Sequence, residues 1–540
     1  MKEQTLLGDE AIALGAIHAG LSAAYGYPGT PSTEILEYLI AYKEKNPAGP
    51  RAAWCANEKT AYEGALGVSY AGLRTLVTMK HVGLNVAADP FVNSGLLDIR
   101  GGFVLAVADD PGMHSSQNEQ DSRFYADYAK IICLEPATQQ EAYDMTREAF
   151  ELSEKFHIPV MLRLTTRIAH ARAGVRTTAE REQNHLTPKP DPSGWVFLPA
   201  RARESYLRLL EKQKDLIAFS ESSARNPLSL NPVFTDYGVI TTGLGRGYYL
   251  ENAGDLPQLP SHLHIGAYPL PVEKIRRLAS SVKKLVIIEE GMPFVETAIR
   301  GVLEPGREIR GKTGPDAILP QAGELNPDLV RAALGLPARP RVEQTAKGFV
   351  LPARPPQLCA GCPHGDTYNA IKTVLSELDS YTVTADIGCY SLGAMQPYAI
   401  PGTIVCMGAS IGMAKGAAEA GVKNAIAIIG DSTFFHSGIT PLIDAAVAGT
   451  PMTLVILDNA AVAMTGVQKT ILPQSALVPL IKGLGVDPAH IVTIEAHKKN
   501  EKENIEVFRR EFAYRGLSVI IAQRECLEAI KARKKAEGAV

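Results

Sequence analysis

Short apolar runs alternate with helix-length segments along most of the chain. In the N-terminal third, LVTM at 76–79, FVLAVAD at 103–109 and PVMLRLTT at 159–166 predict buried strands. Buried strands separated by helices are typical of a parallel sheet with helices on both faces. We therefore expect a doubly wound α/β domain over residues 1–180.

The alternation is interrupted and then resumes in a smaller domain. Residues 181–230 hold charged and proline-containing segments around one polar helix at about 200–215, which indicates a linker. A smaller α/β domain is predicted over 231–340, with strands at 238–242, 263–267 and 284–290.

Residues 341–540 predict another parallel sheet. Six apolar or β-branched runs are separated by helical or glycine-rich segments: YTVTAD, TIVCMG, AIAIIGD, MTLVILDN, HIVTIE and LSVIIAQ. Several domains also agree with the length, because 540 residues exceed what one hydrophobic core supports.

Composition and charge exclude several classes of protein. The formal net charge is −3 and the basic residues are dispersed, so no nucleic-acid surface is expected. The N-terminal segment MKEQTLLGDEAIALGAIHAG has acidic residues before any long apolar run, which fits neither a secretory signal nor a membrane segment. We expect a cytoplasmic protein that acts on small molecules and associates with other proteins.

Two polar side chains follow neighbouring predicted strands. Asp431 follows AIAIIG, and Asn459 ends MTLVILDN 28 residues later. At the carboxyl ends of parallel strands, these side chains and a backbone carbonyl such as that of Ala461 would suit Mg²⁺ with a bound diphosphate. Gly430 permits close backbone approach, and the following helix offers N–H groups to phosphate. The alternative, a Gly-Asp-Ser turn and an Asp-Asn helix cap, stays open on spacing alone.

Longer segments make a family resemblance specific. The stretch from GDS to Asn459 resembles the thiamine diphosphate motif, and LDNAAVAMTGVQ continues as in 2-oxoacid:ferredoxin oxidoreductases. The segments YGYPGTPSTEILE, NEKTAYEGALGVSYAGLRTLVTMKHVGLN, LCAGCPHGDTYNAIK and ADIGCYSLGA resemble the large (alpha) subunit of indolepyruvate:ferredoxin oxidoreductase. The resemblance implies a pyrimidine-binding domain (1–180), a transketolase C-terminal-like domain (231–340) and a diphosphate-binding domain with iron–sulfur cysteines (341–540).

The resemblance implies roles for three N-terminal residues. Glu58 matches the glutamate that hydrogen-bonds the aminopyrimidine of thiamine diphosphate, with Glu63 as the second choice. Thr30 resembles a threonine that contacts the substrate carboxylate, and Arg123 falls where the pyruvate enzyme has a substrate-binding arginine. The alternatives are a surface glutamate in the first turn of a helix, a turn residue beside Pro31 and a solvated charge, respectively.

The resemblance also implies cofactor contacts in the C-terminal domain. Met464 stands where pyruvate enzymes carry a polar residue, so an apolar side chain there favours an arylpyruvate-like substrate such as indolepyruvate or phenylpyruvate; simple core packing is the alternative. The cofactor-binding residues that we expect are Gly388, Gly408, Ser410, Gly430, Asp431, Ser432, Asn459, Ala461, Met464 and Thr465.

Seven cysteines in 540 residues are too few for a disulfide scaffold, and four of them, Cys359, Cys362, Cys389 and Cys526, lie toward the C-terminus in segments that suggest a metal site. In the resembled enzymes, positions equivalent to Cys359, Cys362, Cys389 and Cys526 bind the cluster nearest thiamine, so the resemblance implies a [4Fe–4S] cluster. The alternatives are a structural Cys₄ zinc site or, for the last two, ordinary buried thiols. The remaining cysteines, 55, 133 and 406, are expected in the core.

The resemblance further implies partners and an overall reaction. Oxidative decarboxylation of a 2-oxoacid would yield the acyl-coenzyme A. A separate small (beta) subunit, self-association as a dimer of heterodimers, and ferredoxin or another redox subunit as acceptor are expected. The family's C-terminal ferredoxin-like run of cysteines is not found after Cys526. Two alternatives keep the fold: a non-oxidative thiamine-dependent decarboxylase or carboligase, and a non-catalytic assembly subunit.

Overall fold

A computed structural model describes residues 2–187, 189, 191–340 and 356–538. The chain forms two compact units, Met1–Glu343 and Gln344–Val540. Among the described residues, no helix is both long and apolar enough to cross a membrane. The predicted domain boundary at residue 341 lies outside the described residues.

In its described residues, the first unit contains fourteen strands and thirteen α-helices. The strands are β1 (Lys2–Leu7), β2 (Ala23–Gly26), β3 (Arg51–Trp54), β4 (Thr75–Lys80), β5 (Phe103–Asp109), β6 (Ile132–Leu134), β7 (Val160–Thr165), β8 (Arg172–Thr177), β9 (Leu228–Ser229), β10 (Tyr237–Thr242), β11 (Ser261–Ile265), β12 (Ala267–Tyr268), β13 (Lys284–Ile288) and β14 (Glu308–Arg310). The helices are α1 (Gly8–His18), α2 (Thr33–Lys45), α3 (Glu58–Tyr70), α4 (His81–Val86), α5 (Ala88–Ser94), α6 (Arg123–Ala129), α7 (Gln139–Phe156), α8 (Thr166–His170), α9 (Pro199–Ser222), α10 (Gly245–Ala253), α11 (Val272–Ser281), α12 (Phe294–Arg300) and α13 (Pro327–Ala333).

Two mainly parallel sheets form the centre of this unit. The larger sheet has the order β12-β6-β7-β5-β4-β2-β3 and is parallel except at β12, which pairs antiparallel to β6. Strands β4, β5 and β7 are buried at every residue because helices cover both faces of the sheet. The smaller sheet has the order β14-β13-β10-β11-β9. The predicted strands of both α/β regions are therefore confirmed.

The segment predicted as a linker carries a long helix. Helix α9 has 24 residues, more than the predicted 200–215, and begins with Pro199 in its first turn. Proline is favoured there because the first helical N–H groups have no intrahelical partner. Leu209 and Leu216 are buried, so α9 packs on the unit rather than being solvated throughout.

The second unit contains eight strands and seven α-helices within residues 356–538. The strands are β15 (Thr382–Ala385), β16 (Thr403–Ile404), β17 (Ala425–Gly430), β18 (Met452–Asp458), β19 (Ala461–Val462), β20 (Gln468–Lys469), β21 (Ile491–Glu495) and β22 (Ser518–Gln523). The helices are α14 (Pro363–Leu375), α15 (Ala409–Glu419), α16 (Asp431–Thr433), α17 (Ile439–Ala448), α18 (Leu477–Gly483), α19 (Glu501–Ala513) and α20 (Leu527–Ala536).

A six-stranded parallel sheet forms the centre of this unit, in the order β16-β15-β17-β18-β22-β21. Separate apolar clusters cover its two faces, which explains why β17 and β18 are buried at every residue. The TIVCMG run yields only the two-residue edge strand β16. Cys406, which follows that strand, is exposed, so its predicted place in the core is wrong.

Candidate active site

The carboxyl edge of the six-stranded sheet brings Asp431 and Asn459 to adjacent strand ends. Asp431 directly follows β17 and Asn459 directly follows β18, and these strands pair in parallel with Gly430 opposite Leu457. Both side chains are buried, at 3% and 6% exposure. The strand-end arrangement predicted from the 28-residue spacing is therefore present.

The carboxylate of Asp431 lacks a full set of hydrogen-bond partners. Its Oδ1 accepts from the N–H of Ser432 at 2.7 Å, whereas its Oδ2 is buried with no partner. Burial and the nearby carboxylate of Asp458 raise the pKa of Asp431 well above its usual value. A divalent cation would bind the free oxygen and neutralise the paired acids, so these residues fit Mg²⁺.

Asp458 was missed by the sequence reasoning, although it is adjacent to Asn459. Its Oδ1 accepts from the N–H of Ala460 at 3.3 Å and its Oδ2 from Gln523 Nε2 at 2.8 Å. Ala460 has a φ of +57°, a left-handed conformation that turns the chain sharply after β18. The turn places the N–H of Ala461 3.1 Å from Asn459 Oδ1.

His364, also missed by the sequence reasoning, orients the amide of Asn459. The Nδ2 of Asn459 lies 3.3 Å from His364 Nε2. Burial, with a smaller effect from Arg524, lowers the pKa of His364 to about 4, so the ring is neutral and its Nε2 accepts the hydrogen bond. In the sequence, the signal that could have pointed to His364 was its position two residues after Cys362, a predicted cluster ligand.

Glycines at this edge make room for a tyrosine ring. A Cβ atom on Gly388 or on Gly430 would lie 2.4 or 2.6 Å from Cε1 of Tyr390, so neither position accepts a side chain without moving the ring. Gly408 has a φ of +87°, and a Cβ there would lie 2.5 Å from Cβ of Ser437. The structure thus explains these glycines by packing; their cofactor contacts stay a prediction.

Ser410 and Asp386 form a buried pair beside the same edge. The N–H of Ser410 donates to Asp386 Oδ1 at 2.8 Å, and its hydroxyl donates to Oδ2. Burial raises the pKa of Asp386 to about 6, against the opposing effect of these hydrogen bonds. The hydroxyl hydrogen of Ser410 is therefore engaged within the protein, and its contact with a cofactor stays a prediction.

Met464 and Thr465 lie on a short 3₁₀ helix, 463–465, after the turn. Met464 is 56% exposed within its unit, which contradicts the alternative of simple core packing. Thr465 Oγ1 donates to Gln468 Oε1 at 2.6 Å.

The four predicted cluster cysteines converge beside this edge. Cys359 and Cys362 lie in the turn before α14, Cys389 lies after β15, and Cys526 lies before α20. Burial raises the pKa of Cys389 to about 12, with further contributions from Cys362, Cys526 and Cys359. Four thiols that influence one another electrostatically share one region, although no three of these described sulfur atoms lie within 4.8 Å of one another.

In the first unit, Glu58 occupies a buried position at the start of α3. Asn57 caps the helix by accepting a hydrogen bond from the N–H of Thr60 at 2.9 Å. Glu58 is 5% exposed, so the alternative of a surface glutamate is wrong. Its carboxylate packs against Gly83, where a Cβ would lie 2.6 Å from Glu58 Oε1. Glu63, the second choice, is exposed and pairs with Lys59.

Lys80, which the sequence reasoning missed, links Glu58 to the Thr30 loop. Burial lowers the pKa of Lys80 to about 8, although the carboxylates of Asp110 and Glu58 oppose this shift. Its Nζ donates to the carbonyl of Ser115 at 3.0 Å, and the hydroxyl of Ser115 donates to the carbonyl of Thr30 at 3.1 Å. Its position at the end of a fully buried strand was the available signal.

Arg123 is embedded in a buried ion-pair network. It is 1% exposed, which contradicts the alternative of a solvated charge. Its guanidinium contacts Asp121 at 2.5 Å and Glu289 at 3.1 Å, and donates to the carbonyls of Glu290 and Met292. A substrate carboxylate would have to displace one of these partners, and the substrate-binding role stays a prediction.

Comparison with known proteins identifies the family. Residues 14–199 match "Pyruvate flavodoxin/ferredoxin oxidoreductase, thiamine diP-bdg", and residues 386–522 match "Thiamine pyrophosphate enzyme, C-terminal TPP binding domain". The chain is 38% identical to indolepyruvate oxidoreductase subunit IorA of Archaeoglobus fulgidus, over 99% of this chain and 88% of the relative. The chain belongs to the IorA family.

Other IorA subunits agree with this assignment. The subunit of Methanothermobacter thermautotrophicus is 36% identical over 97% of this chain and 86% of the relative. The subunit of Pyrococcus abyssi is 34% identical over 96% of this chain and 85% of the relative. The IorA-family chain has the thiamine diphosphate-binding α/β fold predicted from its sequence and belongs to an enzyme of thiamine diphosphate-dependent 2-oxoacid oxidoreduction.

Proposed function

We propose that this chain is the catalytic alpha subunit of an oxidoreductase that converts an arylpyruvate-type 2-oxoacid to its acyl-coenzyme A. Electrons leave through a [4Fe–4S] cluster bound by Cys359, Cys362, Cys389 and Cys526. The observation that carries the proposal is the convergence of these thiols beside Asp431 and Asn459, with Cys526 hydrogen-bonded to Asn459 at 3.0 Å.

The second unit supplies residues for the diphosphate end of thiamine diphosphate. In the second unit, Mg²⁺ is held by Asp431, Asn459 and the carbonyl of Ala461, a hard-oxygen donor set suited to this ion. The orphaned Oδ2 of Asp431 supports this assignment. Ser432 and the backbone that follows β17 lie where phosphate oxygens would bind.

Glu58 is the acid/base group of the first unit. When bound, thiamine diphosphate supplies the nucleophilic carbon that adds to a 2-oxo group and allows loss of CO₂. Glu58 exchanges a proton with the aminopyrimidine ring, and its burial excludes water from that hydrogen bond. Lys80 offers a nearby positive charge for the substrate carboxylate, and the Thr30 hydroxyl offers a second donor.

The spacing of the cysteines favours an iron–sulfur cluster over zinc. Tetrahedral zinc with bonds of about 2.3 Å holds its sulfurs about 3.8 Å apart. No three of the four thiols, all within the described part of the chain, are as close as 4.8 Å. A [4Fe–4S] cluster spaces its thiolates more widely because each binds a different iron, and it accepts electrons singly.

The substrate class rests on Met464 and on the relatives' names. Met464 presents an exposed apolar side chain near the Asn459 turn, which suits an aromatic 2-oxoacid. The related subunits are named for indolepyruvate. We also propose a small (beta) subunit, self-association as a dimer of heterodimers, Mg²⁺ and coenzyme A as requirements, ferredoxin or another redox subunit as acceptor, and a cytoplasmic location.

Anaerobic purification with the small subunit tests this function. We expect about four iron atoms per chain, bound thiamine diphosphate, and dye reduction that requires coenzyme A and prefers indolepyruvate or phenylpyruvate to pyruvate. Cys389→Ser should lose iron and dye reduction, whereas the matched variant Cys406→Ser should keep both because Cys406 is exposed outside the cluster.

Other outcomes would select the alternatives. Release of CO₂ without iron and without dye reduction would indicate a non-oxidative decarboxylase. A folded protein that never binds thiamine diphosphate would indicate an assembly subunit. A preference for pyruvate would contradict the substrate class.

A further inference from the structure

Three side chains of types that can bind metal ions meet in the first unit, on helices α1, α2 and α8. Asp9 lies in the first turn of α1, Glu34 in the first turn of α2, and His170 ends α8. One oxygen or nitrogen atom of each lies within 4.8 Å of the other two. Among the described residues, no other three His, Cys, Asp or Glu side chains meet so closely.

The carboxylate of Asp9 is buried without any hydrogen-bond donor. Asp9 is 0% exposed, and neither of its oxygens has a partner. Glu34 Oε2, which points at the same group of atoms, is also buried, and the Nε2 of His170 lies 3.5 Å from it as an ion-pair partner. An isolated buried carboxylate costs several kcal/mol, so these oxygens favour either a cation or a proton between them.

The backbone fixes this arrangement. A Cβ on Gly8 would lie 2.1 Å from the carbonyl oxygen of Ile168, so α1 and α8 touch through their main chains. That contact places Asp9, the next residue after Gly8, beside His170, two residues after Ile168. Donors held by helices in direct backbone contact are pre-organised, which favours ion binding.

We propose that Asp9, Glu34 and His170 bind a divalent transition-metal ion, of which Zn²⁺ is the simplest case. An imidazole with two carboxylates suits this class better than Mg²⁺ or Ca²⁺, which prefer oxygen donors only. The side chains of His170 and Glu34 are 34% and 36% exposed, so the ion can enter from solvent and complete its coordination with water.

The ion would hold together three helices beside the Thr30 loop. Glu34 follows Thr30 by four residues, and the loop joins β2 to the start of α2. Binding at Glu34 would tie that end of α2 to α1 and α8. The site is therefore structural, and it is separate from the residues that we assign to Mg²⁺ and to the cluster.

A shared proton is the competing occupant. Burial, with the charges of Glu34 and Glu10, raises the pKa of Asp9 well above its usual value. Without a metal ion, Asp9 could hold a proton that it shares with Glu34. His170 pairs with Glu34 in either case, so the two occupants differ in Zn²⁺ binding: only the metal site would bind Zn²⁺ and lose it when the imidazole is removed.

Zn²⁺ binding to the complete, anaerobically prepared protein tests the proposal. After removal of loosely bound metal, Zn²⁺ alone is titrated against a chromophoric chelator, and bound metals are quantified by mass spectrometry. The parent protein should bind one more equivalent of Zn²⁺ than His170→Gln and Asp9→Asn, or bind it at least about ten-fold more tightly. Zn²⁺ should raise the melting temperature of the parent protein only.

Matched variants control for nonspecific binding. His185→Gln removes an exposed imidazole and Glu44→Gln an exposed carboxylate on α2, and both should bind Zn²⁺ as the parent does. Because His170 is partly exposed, His170→Gln should fold even if Asp9→Asn does not. Equal Zn²⁺ stoichiometry and affinity in the parent and His170→Gln would overturn the proposal, as would an Asp9→Asn protein that is stabilised with unchanged Zn²⁺ binding.

Discussion

The backbone N–H of Cys526 donates a hydrogen bond of 3.0 Å to the carbonyl oxygen of Asn459. Two residues earlier in the chain, the N–H of Arg524 donates to the carbonyl oxygen of Asp458 at 3.1 Å. The chain after β22 therefore stays hydrogen-bonded to the end of β18 and to the residue beyond it, which fixes a proposed cluster ligand next to a proposed magnesium ligand.

This hydrogen bond makes the effect of Cys526→Ser selective. Serine keeps the backbone N–H but not the thiolate, so we expect loss of the cluster with thiamine diphosphate binding retained. Iron and sulfide analysis with a parallel assay of bound thiamine diphosphate measures both. Cys406→Ser is the control and should change neither. Retention of a full iron complement in Cys526→Ser would remove this residue from the ligand set.

Asp431→Asn should raise the stability of the metal-free protein and weaken cofactor binding. Asn has the same shape but no charge, so it removes the repulsion from Asp458. We expect the metal-free protein to become more stable by about 1–2 kcal/mol and Mg²⁺-dependent thiamine diphosphate binding to weaken at least about ten-fold. Thermal unfolding and equilibrium titration measure the two effects. Unchanged cofactor affinity would contradict the assignment of Asp431.

The lowered pKa of Lys80 predicts that catalysis depends on pH. Because burial lowers its pKa to about 8, the side chain loses its charge as the pH rises through about 8. If the cation binds the substrate carboxylate, kcat/KM should fall over that range. Lys80→Met should lower kcat/KM by about ten- to hundred-fold at neutral pH, the equivalent of about 1.5–3 kcal/mol for a hydrogen bond to a charged group.

Lys80→Arg provides the matched control, since a guanidinium stays charged at every accessible pH. Its activity should not fall near pH 8. The lowered pKa of Lys80 also affects stability. Between about pH 8 and the ordinary lysine pKa, the unfolded chain binds more protons than the folded chain. The free energy of unfolding should therefore rise with pH in the parent protein and not in Lys80→Met. An alkaline decline that persists in Lys80→Met would contradict the assignment.

Much of the fold and part of the site could be read from local sequence patterns. Strands β5 and β18 are almost entirely apolar, and such runs identify strands buried on both faces without knowledge of their neighbours. Asp431 and Asn459 follow directly from such strands, because residues just beyond parallel strands meet at one edge. The Asn57 cap likewise depends only on residues within one turn.

The remaining site residues depend on tertiary contacts that no local pattern encodes. His364 becomes a partner of Asn459 across 95 positions of sequence, and the partners of Lys80 come from α3 and from the loop after β5. Arg163 interrupts the apolar run of β7, but its partners Asp109 and Glu135 are known only once the strand order is known. The exposure of Cys406 follows from the short edge strand before it.

Arg163→Met should be strongly destabilising. Arg163 is 0% exposed, and its guanidinium contacts Asp109 at 2.7 Å and Glu135 at 2.5 Å. Methionine fills a similar volume but leaves buried carboxylates uncompensated, which costs about 3–5 kcal/mol of unfolding free energy. Denaturant unfolding of the complete chain measures the loss.

Arg167→Met is the control for Arg163→Met, because Arg167 pairs with Glu324 at 2.7 Å but is 46% exposed. Water screens that pair, so its loss should cost less than about 1 kcal/mol. Equal effects of the two substitutions would show that the buried network is not held by its charges. In that case replacing Asp109 by Asn and Glu135 by Gln would also leave stability unchanged.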